Sequence, residues 1–235
     1  MSTYSTNPTK GIVYYTDNNC DEKILKMSRE YLLKAVNGKE IVSVSLSPID
    51  FGHNIVLSLK RGYITMFQQI LAGIEAVATD IIFLVEHDVL YTKEHFDYVP
   101  PTKDMFYYNM NNWQVRVSDG HACYFTCKKV SQLSGYRDIF LKHYRERCRR
   151  LETEPFTFRM GFEPGSNDRR AERVDQIRSG KWSSIIPNLD LRHTSNLTTT
   201  RWSPEEFRNP CKVSWKDSHV NLLPGWENFK FLGGI

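Results

Sequence analysis

An α/β fold, with a mixed, mainly parallel sheet flanked by helices, is predicted by three features of the chain. Short β-rich segments alternate with helical periodicity through its first part. One segment, Ile81-Ile82-Phe83-Leu84-Val85, is apolar at every position, and the acidic run Glu86-His87-Asp88 follows it without a break. A strand that is apolar throughout must be covered on both faces, as a parallel sheet between two helix layers provides.

The elements follow in order. Gly11-Ile12-Val13-Tyr14-Tyr15-Thr16 is β-rich and stops at the turn formers Asp17-Asn18-Asn19, after which Asp21 is placed to cap a helix reaching Leu33. Ile41-Val42-Ser43-Val44-Ser45-Leu46 roughly alternates with a period of two and ends before Pro48, as a second strand would. Residues 62–78 carry Ile64, Phe67, Ile70, Leu71, Ile74 and Val77 at helical spacing and feed the apolar strand. Beyond Pro100-Pro101, Met105-Phe106-Tyr107-Tyr108 and Ala122-Cys123-Tyr124-Phe125-Thr126 read as further strands of the same sheet, followed by a helix over 128–150. From Glu152 onward Pro, Gly and Asn become frequent and one helix is expected near 168–178, so 152–235 should wrap the sheet instead of forming its own core.

With 235 residues, 40% of them hydrophobic and 25% charged, the chain should form one domain spanning 1–235, and disordered and collagen-like classes are excluded. No apolar run approaches the roughly 20 residues of a membrane span. The start lacks the basic-then-apolar pattern of a signal peptide, so a cytoplasmic protein is expected, in the host cytoplasm if the chain is viral, with no membrane and no protein partner evident. The five cysteines, Cys20, Cys123, Cys127, Cys148 and Cys211, are odd in number and lack paired CxxC spacing, which supports neither a disulfide framework nor a structural zinc site. The sequon Asn196-Leu197-Thr198 carries little meaning without a route to secretion. The net charge is only +4, but basic residues gather in Lys142-His143-Tyr144-Arg145-Glu146-Arg147-Cys148-Arg149-Arg150 and at Arg169, Arg170, Arg173, Arg178 and Lys181. These either solvate helix faces or meet a phosphate backbone.

The chemistry concentrates where the apolar strand ends. Ligands of open α/β sheets bind beyond the carboxyl ends of the strands, and Glu86-His87-Asp88 occupies such an end. Asp88 suits a hard, oxygen-seeking cation such as Mg²⁺ or Mn²⁺, which can also bridge phosphates. An acidic residue there could equally cap a helix or face water. His87 is the weaker ligand, because alternation should turn it away from its two neighbours.

In this acidic strand end the chain resembles the glycosyltransferases of the GT-A fold, a Rossmann-related class, over residues 10 to 200. There an Asp-x-Asp-like motif binds a metal and a nucleotide diphosphate; here its first acid is Glu86, whose partner is left open as metal, ribose or water. The resemblance implies further roles. Thr16, Asp17 and Asn18 would hold the nucleoside, unless they form an ordinary turn. Lys60 and Arg61 would approach the donor phosphates, or lie solvated. Asp119-Gly120-His121 would begin the strand beneath the donor sugar, with Gly120 allowing close backbone approach. Glu163, in Gly161-Phe162-Glu163-Pro164-Gly165, is the implied catalytic base, with Asp119 or Asp168 as substitutes. His193, after Leu189-Asp190-Leu191-Arg192, would complete the metal shell beside Asp88, and 152–235 would lie on the acceptor side.

A metal-dependent transfer of a hexose or pentose from a nucleotide-sugar donor is thus the leading expectation. For the acceptor, a hydroxymethylated pyrimidine in DNA, as in phage-type base glycosylation, is slightly favoured over a glycan, lipid or small molecule, on the basic clusters and on Trp113, Tyr144 and Trp182 as receivers of an extruded base. A nucleotidyltransferase would want a Gly-rich phosphate loop near the first strand, and Thr16-Asp17-Asn18-Asn19 offers none. A nonenzymatic nucleic-acid-binding module would leave the acidic strand end unexplained.

Overall fold

The computed structural model describes residues 7–155, 163–165, 174–193 and 216–230. The helix expected near 168–178 falls mostly outside them, as do Asp168, Arg169, Arg170, Arg173, the sequon and Cys211; its last residue, Arg178, opens a strand instead.

The chain begins β1 (Lys10–Tyr15), α1 (Glu22–Val36), β2 (Glu40–Ser45), β3 (His53–Val56), α2 (Tyr63–Ala76) and β4 (Ile81–Glu86). Next come β5 (Val89–Leu90), α3 (Lys93–Asp97), β6 (Met105–Asn109), β7 (Asn112–Arg116) and β8 (His121–Tyr124). A 3-10 turn (Val130–Gln132) leads into β9 (Leu133–Tyr136), followed by α4 (Arg137–Thr153), β10 (Arg178–Trp182), β11 (Asn188–Arg192), β12 (Lys216–His219) and another 3-10 turn (Val220–Leu222). Asp21 caps α1 as expected, its Oδ1 accepting from the backbone N–H groups of Lys23 (2.8 Å) and Ile24 (3.3 Å).

The described residues form two sheets, not one. The larger has seven strands in the order β10-β6-β9-β4-β1-β2-β3, and the smaller five in the order β12-β8-β7-β11-β5. In the larger, β3, β2, β1 and β4 run parallel and β10 pairs parallel with β6, while β9 is antiparallel to both neighbours. This is the mixed, mainly parallel sheet that was expected, with helices on both faces. Alternation along β1 makes the layering explicit: Val13 and Tyr15 pack in the core that holds Phe67 of α2 and Phe140 of α4. Ile12 and Tyr14 pack with Leu32 and Val36 of α1 and with Phe96 of α3. The second sheet has its own apolar cluster of Leu90, Val115, Ala122, Leu189 and Leu191, into which α1 projects Ile24.

Two expectations about elements are corrected, and the basic run resolves mainly into an ion-paired helix face. The strand expected at 122–126 belongs to the second sheet, because β8 pairs with β7 and β12. The helix expected from Lys128 begins only at Arg137; Leu133 to Tyr136 instead form β9, held between β4 and β6 by long-range pairing that local periodicity does not report. The basic run on α4 is largely neutralised or buried. Arg145 pairs with Glu75 (2.9 Å), Arg149 with Glu146 (2.7 Å) and Arg150 with Glu154 (2.8 Å), while Arg147 is buried with its guanidinium over the Phe67 ring. Tyr144 is fully buried and cannot receive a base, and Trp182 lies stacked on Tyr98 at a ring separation of 4.0 Å.

Gly73 lets α2 lie close on the sheet: a Cβ there would run into Val13 Cγ1 of β1 and press on Val44 Cγ2 of β2. Gly73→Val should lower unfolding free energy by about 3 kcal/mol, the upper range for overpacking a dense core. Urea denaturation followed by circular dichroism measures this, and an unchanged midpoint would contradict the packing described.

Candidate functional site

From β1 the chain moves to β2 on one side and then, after β3 and α2, to β4 on the other. The strand order therefore reverses between β1 and β4, and a crevice opens beyond their carboxyl ends. A cavity of about 290 Å³ lies there, with Tyr15 at the end of β1 and Glu86 at the end of β4 in its wall. Thr16, Asp17, Glu86, Asp88 and Glu163, all expected from the sequence, line it. So do His87, Gln114, Lys129, Asp190 and Arg192, for which no role was expected.

β4 ends at Glu86, and residues 87 and 88 form a turn into β5. Strand alternation stops at that turn, so His87 is not turned away: it shares the cavity wall with Asp88. The turn is fixed from two sides. Ser28 Oγ of α1 donates to the His87 carbonyl (2.6 Å), and the Leu191 N–H of β11 donates to the Asp88 carbonyl (2.8 Å). β11 also pairs antiparallel with β5, Leu189 opposite Leu90. Its continuation brings buried His193 alongside, with Nε2 3.4 Å from Asp88 Oδ2. Two residues expected to be co-ligands are thus adjacent. A spacing near 3.4 Å is what two nitrogen or oxygen ligands about 2.1 Å from one tetrahedral ion would show, so the pair fits a divalent cation.

Glu86 accepts a hydrogen bond from Tyr15 Oη (2.6 Å), and its backbone N–H donates to Tyr91 Oη (3.1 Å). Burial and the neighbouring Asp88 charge push its carboxyl up to about 8, although the Tyr15 bond works against them. The shift favours the neutral form of Glu86, and of the two acids at the strand end Asp88 is the better candidate to meet a cation. Asp190 takes the opposite course. Burial would raise it, but Lys129 Nζ (2.6 Å) and Arg192 NH1 (3.0 Å) outweigh burial and hold it down to about 2. The result is a buried carboxylate that presents two cations along the cavity wall.

The other expected residues divide. Thr16 is buried; its backbone N–H donates to Val44 O (3.0 Å) and its carbonyl accepts from Gln69 Nε2 (2.7 Å), which tethers the ends of β1 and β2. Asn18, at φ 58°, accepts on Oδ1 from the backbone of Leu46 (2.7 Å) and Ser47 (3.0 Å), so its amide braces the loop and is not on the cavity wall. Arg61 reaches the site through Asp17, whose carboxylate accepts from its Nε. Lys60 is exposed outside the wall. Asp119 and Gly120 are corrected: they form the turn between β7 and β8 in the second sheet, away from the cavity wall. There the Asp119 carboxylate accepts from Arg116 Nε (2.8 Å) and from the His121 N–H (3.1 Å), and Gly120, at φ 75°, supplies the left-handed bend. Glu163 lies in the wall beside Pro164 and Gly165, whose carbonyls accept from Tyr108 Oη (2.7 Å) and Ser179 Oγ (2.7 Å).

No family model matches the sequence. No curated protein matches it either. Among solved structures the chain is similar to residues 1–349 of S. aureus TarS in complex with UDP-GlcNAc, at 10% identity and a TM-score of 0.41, over 80% of this chain and 60% of that one. The chain thus spans 60% of that structure's length, and a likeness this slight assigns it no activity. No helix among the described residues is long and apolar enough to cross a membrane.

The Asp190 cluster has a pH signature. Its folded carboxyl titrates below the unfolded value of about 3.9, so its stabilisation is full above that pH and disappears as pH falls through about 2. Asp190→Asn leaves two cations without their counter-charge and should cost about 3 kcal/mol at pH 7. Unfolding titrations of both proteins between pH 7 and pH 2 should converge at the acid end; a constant gap would contradict the assignment.

Proposed function

We propose that the protein transfers a sugar from a nucleotide-diphosphate donor to an acceptor hydroxyl. The observation that most supports this reading is the cavity at the β1/β4 switch point. Asp88 lies in its wall with buried His193, itself outside the wall, 3.4 Å away; Lys129 and Arg192 share the wall, and Glu163 also faces it. Few reactions need all three. A leaving diphosphate needs positive charge, and an attacking hydroxyl needs a proton acceptor.

Asp88 and His193 would hold the cation, Mn²⁺ or Mg²⁺, which when bound supplies charge neutralisation for the departing diphosphate. Lys129 and Arg192, oriented by Asp190, add positive charge on the same wall. Asp17, braced by Arg61, offers carboxylate acceptors to a nucleoside hydroxyl or base N–H. Glu163 takes the proton as the acceptor oxygen bonds to the anomeric carbon; the bond to the diphosphate breaks, and its electron pair leaves with the phosphate oxygen. A carboxylate base of this kind favours inversion at the anomeric carbon. The acceptor is proposed only as a hydroxyl. The paired and buried arginines of α4 and the buried Tyr144 withdraw much of the support that favoured DNA.

Nucleotide sugars should therefore be consumed in a divalent-ion-dependent manner when a panel of donors is incubated with the protein. Asp88→Ala should lower the rate on the order of 100-fold, as expected when one charge-stabilising group is lost. Glu163→Gln should lower transfer by at least about 100-fold while leaving donor affinity within a few-fold of wild type. Chromatography of the nucleotide products, with mass analysis of DNA bearing hydroxymethylated pyrimidines and of simple glycan acceptors, reads the outcome. Full turnover by Asp88→Ala would overturn the proposal.

A further inference from the structure

Beside Asp88 and His193 stand two side chains that an oxygen-seeking cation does not call for. Cys20 lies in the loop between β1 and α1, and His87 in the turn between β4 and β5. One ligand atom from each of Cys20, His87 and His193 falls within 4.8 Å of the others. Cys20 Sγ is 3.9 Å from His193 Nε2, the same nitrogen that lies 3.4 Å from Asp88 Oδ2.

We infer that Cys20, His87 and His193 form one site for a borderline divalent ion of the zinc class, with the Asp88 carboxylate beside His193 but outside this set of mutually close donors. The inference rests on the reading of His193 as a ligand and changes which ion it serves. Around a tetrahedral zinc, with bonds of about 2.0–2.3 Å, neighbouring ligand atoms lie about 3.3–3.7 Å apart; Cys20 and His193, at 3.9 Å, are close to this, and the three donors, all within 4.8 Å of one another, would draw in by about 1 Å at most. The donor set carries the preference. Thiolate and imidazole suit zinc and cobalt, whereas Mg²⁺ demands oxygen ligands and keeps its water. Binding is balanced by a proton: the Cys20 S–H bond is lost, a metal–sulfur bond forms, and the proton goes to solvent.

The surroundings hold each donor in place. His193 and Asp88 arrive on backbone that the Leu191-to-Asp88 hydrogen bond ties together. His87 is fixed at its carbonyl by Ser28, and its Nδ1 lies 3.9 Å from Asp17 Oδ1, a carboxylate positioned to orient the ring. Cys20 immediately precedes Asp21, whose capping bonds set the start of α1. His87 and Asp88 also face the cavity, so the ion would lie between the protein's ligands and the space assigned to the donor. Sequence spacing concealed the site, because its three donors come from three separate segments with no CxxC or HxxxH pattern.

Co²⁺ tests this directly on the full chain stripped of metal by chelation. Wild type should bind one Co²⁺ with the intense visible bands of a four-coordinate ion and a near-ultraviolet sulfur-to-cobalt charge-transfer band. Zn²⁺ at stoichiometric amounts should bleach both, and a large excess of Mg²⁺ should not. Cys20→Ser should lose the charge-transfer band, and His87→Ala and His193→Ala should each weaken Co²⁺ at least tenfold, all with wild-type circular dichroism. A charge-transfer band unchanged in Cys20→Ser, or weak six-coordinate spectra in wild type, overturns the inference. Its failure and that of the transfer reading are distinguishable: a protein with the band that consumes no nucleotide sugar loses only the activity. One that turns over with Mg²⁺ and shows no band loses only this site.

Discussion

One backbone hydrogen bond, from the Leu191 N–H to the Asp88 carbonyl, joins the two halves of the site. Asp88 belongs to the turn that ends the most buried strand of the large sheet, and Leu191 to a strand of the small sheet. That bond, with the short β5/β11 ladder beside it and the Asn188 side chain bonded to Thr92 and Gln132, fixes where His193 falls. The small sheet is needed for this placement. It supplies β11, and β11 delivers Asp190, Arg192 and, at its end, His193 to the rim of the first sheet.

Electrostatics divide the rim into two regions with different solutions to burial. Near β4, carboxylates are close enough that burial and mutual repulsion favour the neutral form of Glu86, with Tyr15 bonded to it, while Asp88 adjoins His193. Near β11, one buried carboxylate is held ionised by two cations, which remain on the cavity wall. A free cation would be attracted to the first region and a phosphate to the second. This juxtaposition, more than any one residue, supports the proposal of a diphosphate held through a metal in this cavity.

The strongly patterned first part of the fold was legible: β1, the capped α1, β2, α2 and β4 all lie where periodicity and turn residues put them. Short strands without such patterns were not. His53–Val56, Val89–Leu90 and Asn112–Arg116 carry too few apolar residues to signal a strand, and their pairing partners are distant in sequence. Leu133–Tyr136 was absorbed into a helix because the helical spacing that follows it gave no boundary. The site was legible where it lay at a strand end, as with Thr16, Asp17, Glu86 and Asp88, and where family order suggested a late histidine. Lys129 and Asp190 were invisible as a pair, since an ion pair between a loop and a distant strand leaves no local trace. His87 was misjudged because alternation was carried one residue past the end of β4.

If the Asp88–His193 pair and the adjoining cavity bind an ion and a diphosphate together, an anomalous difference map from crystals soaked with a nucleoside diphosphate and a divalent transition ion will show it. A single strong peak is expected within about 2.2 Å of Asp88 Oδ and His193 Nε2, with the diphosphate against Lys129 and Arg192. A peak elsewhere, or a nucleotide bound outside the β1/β4 crevice, would contradict it.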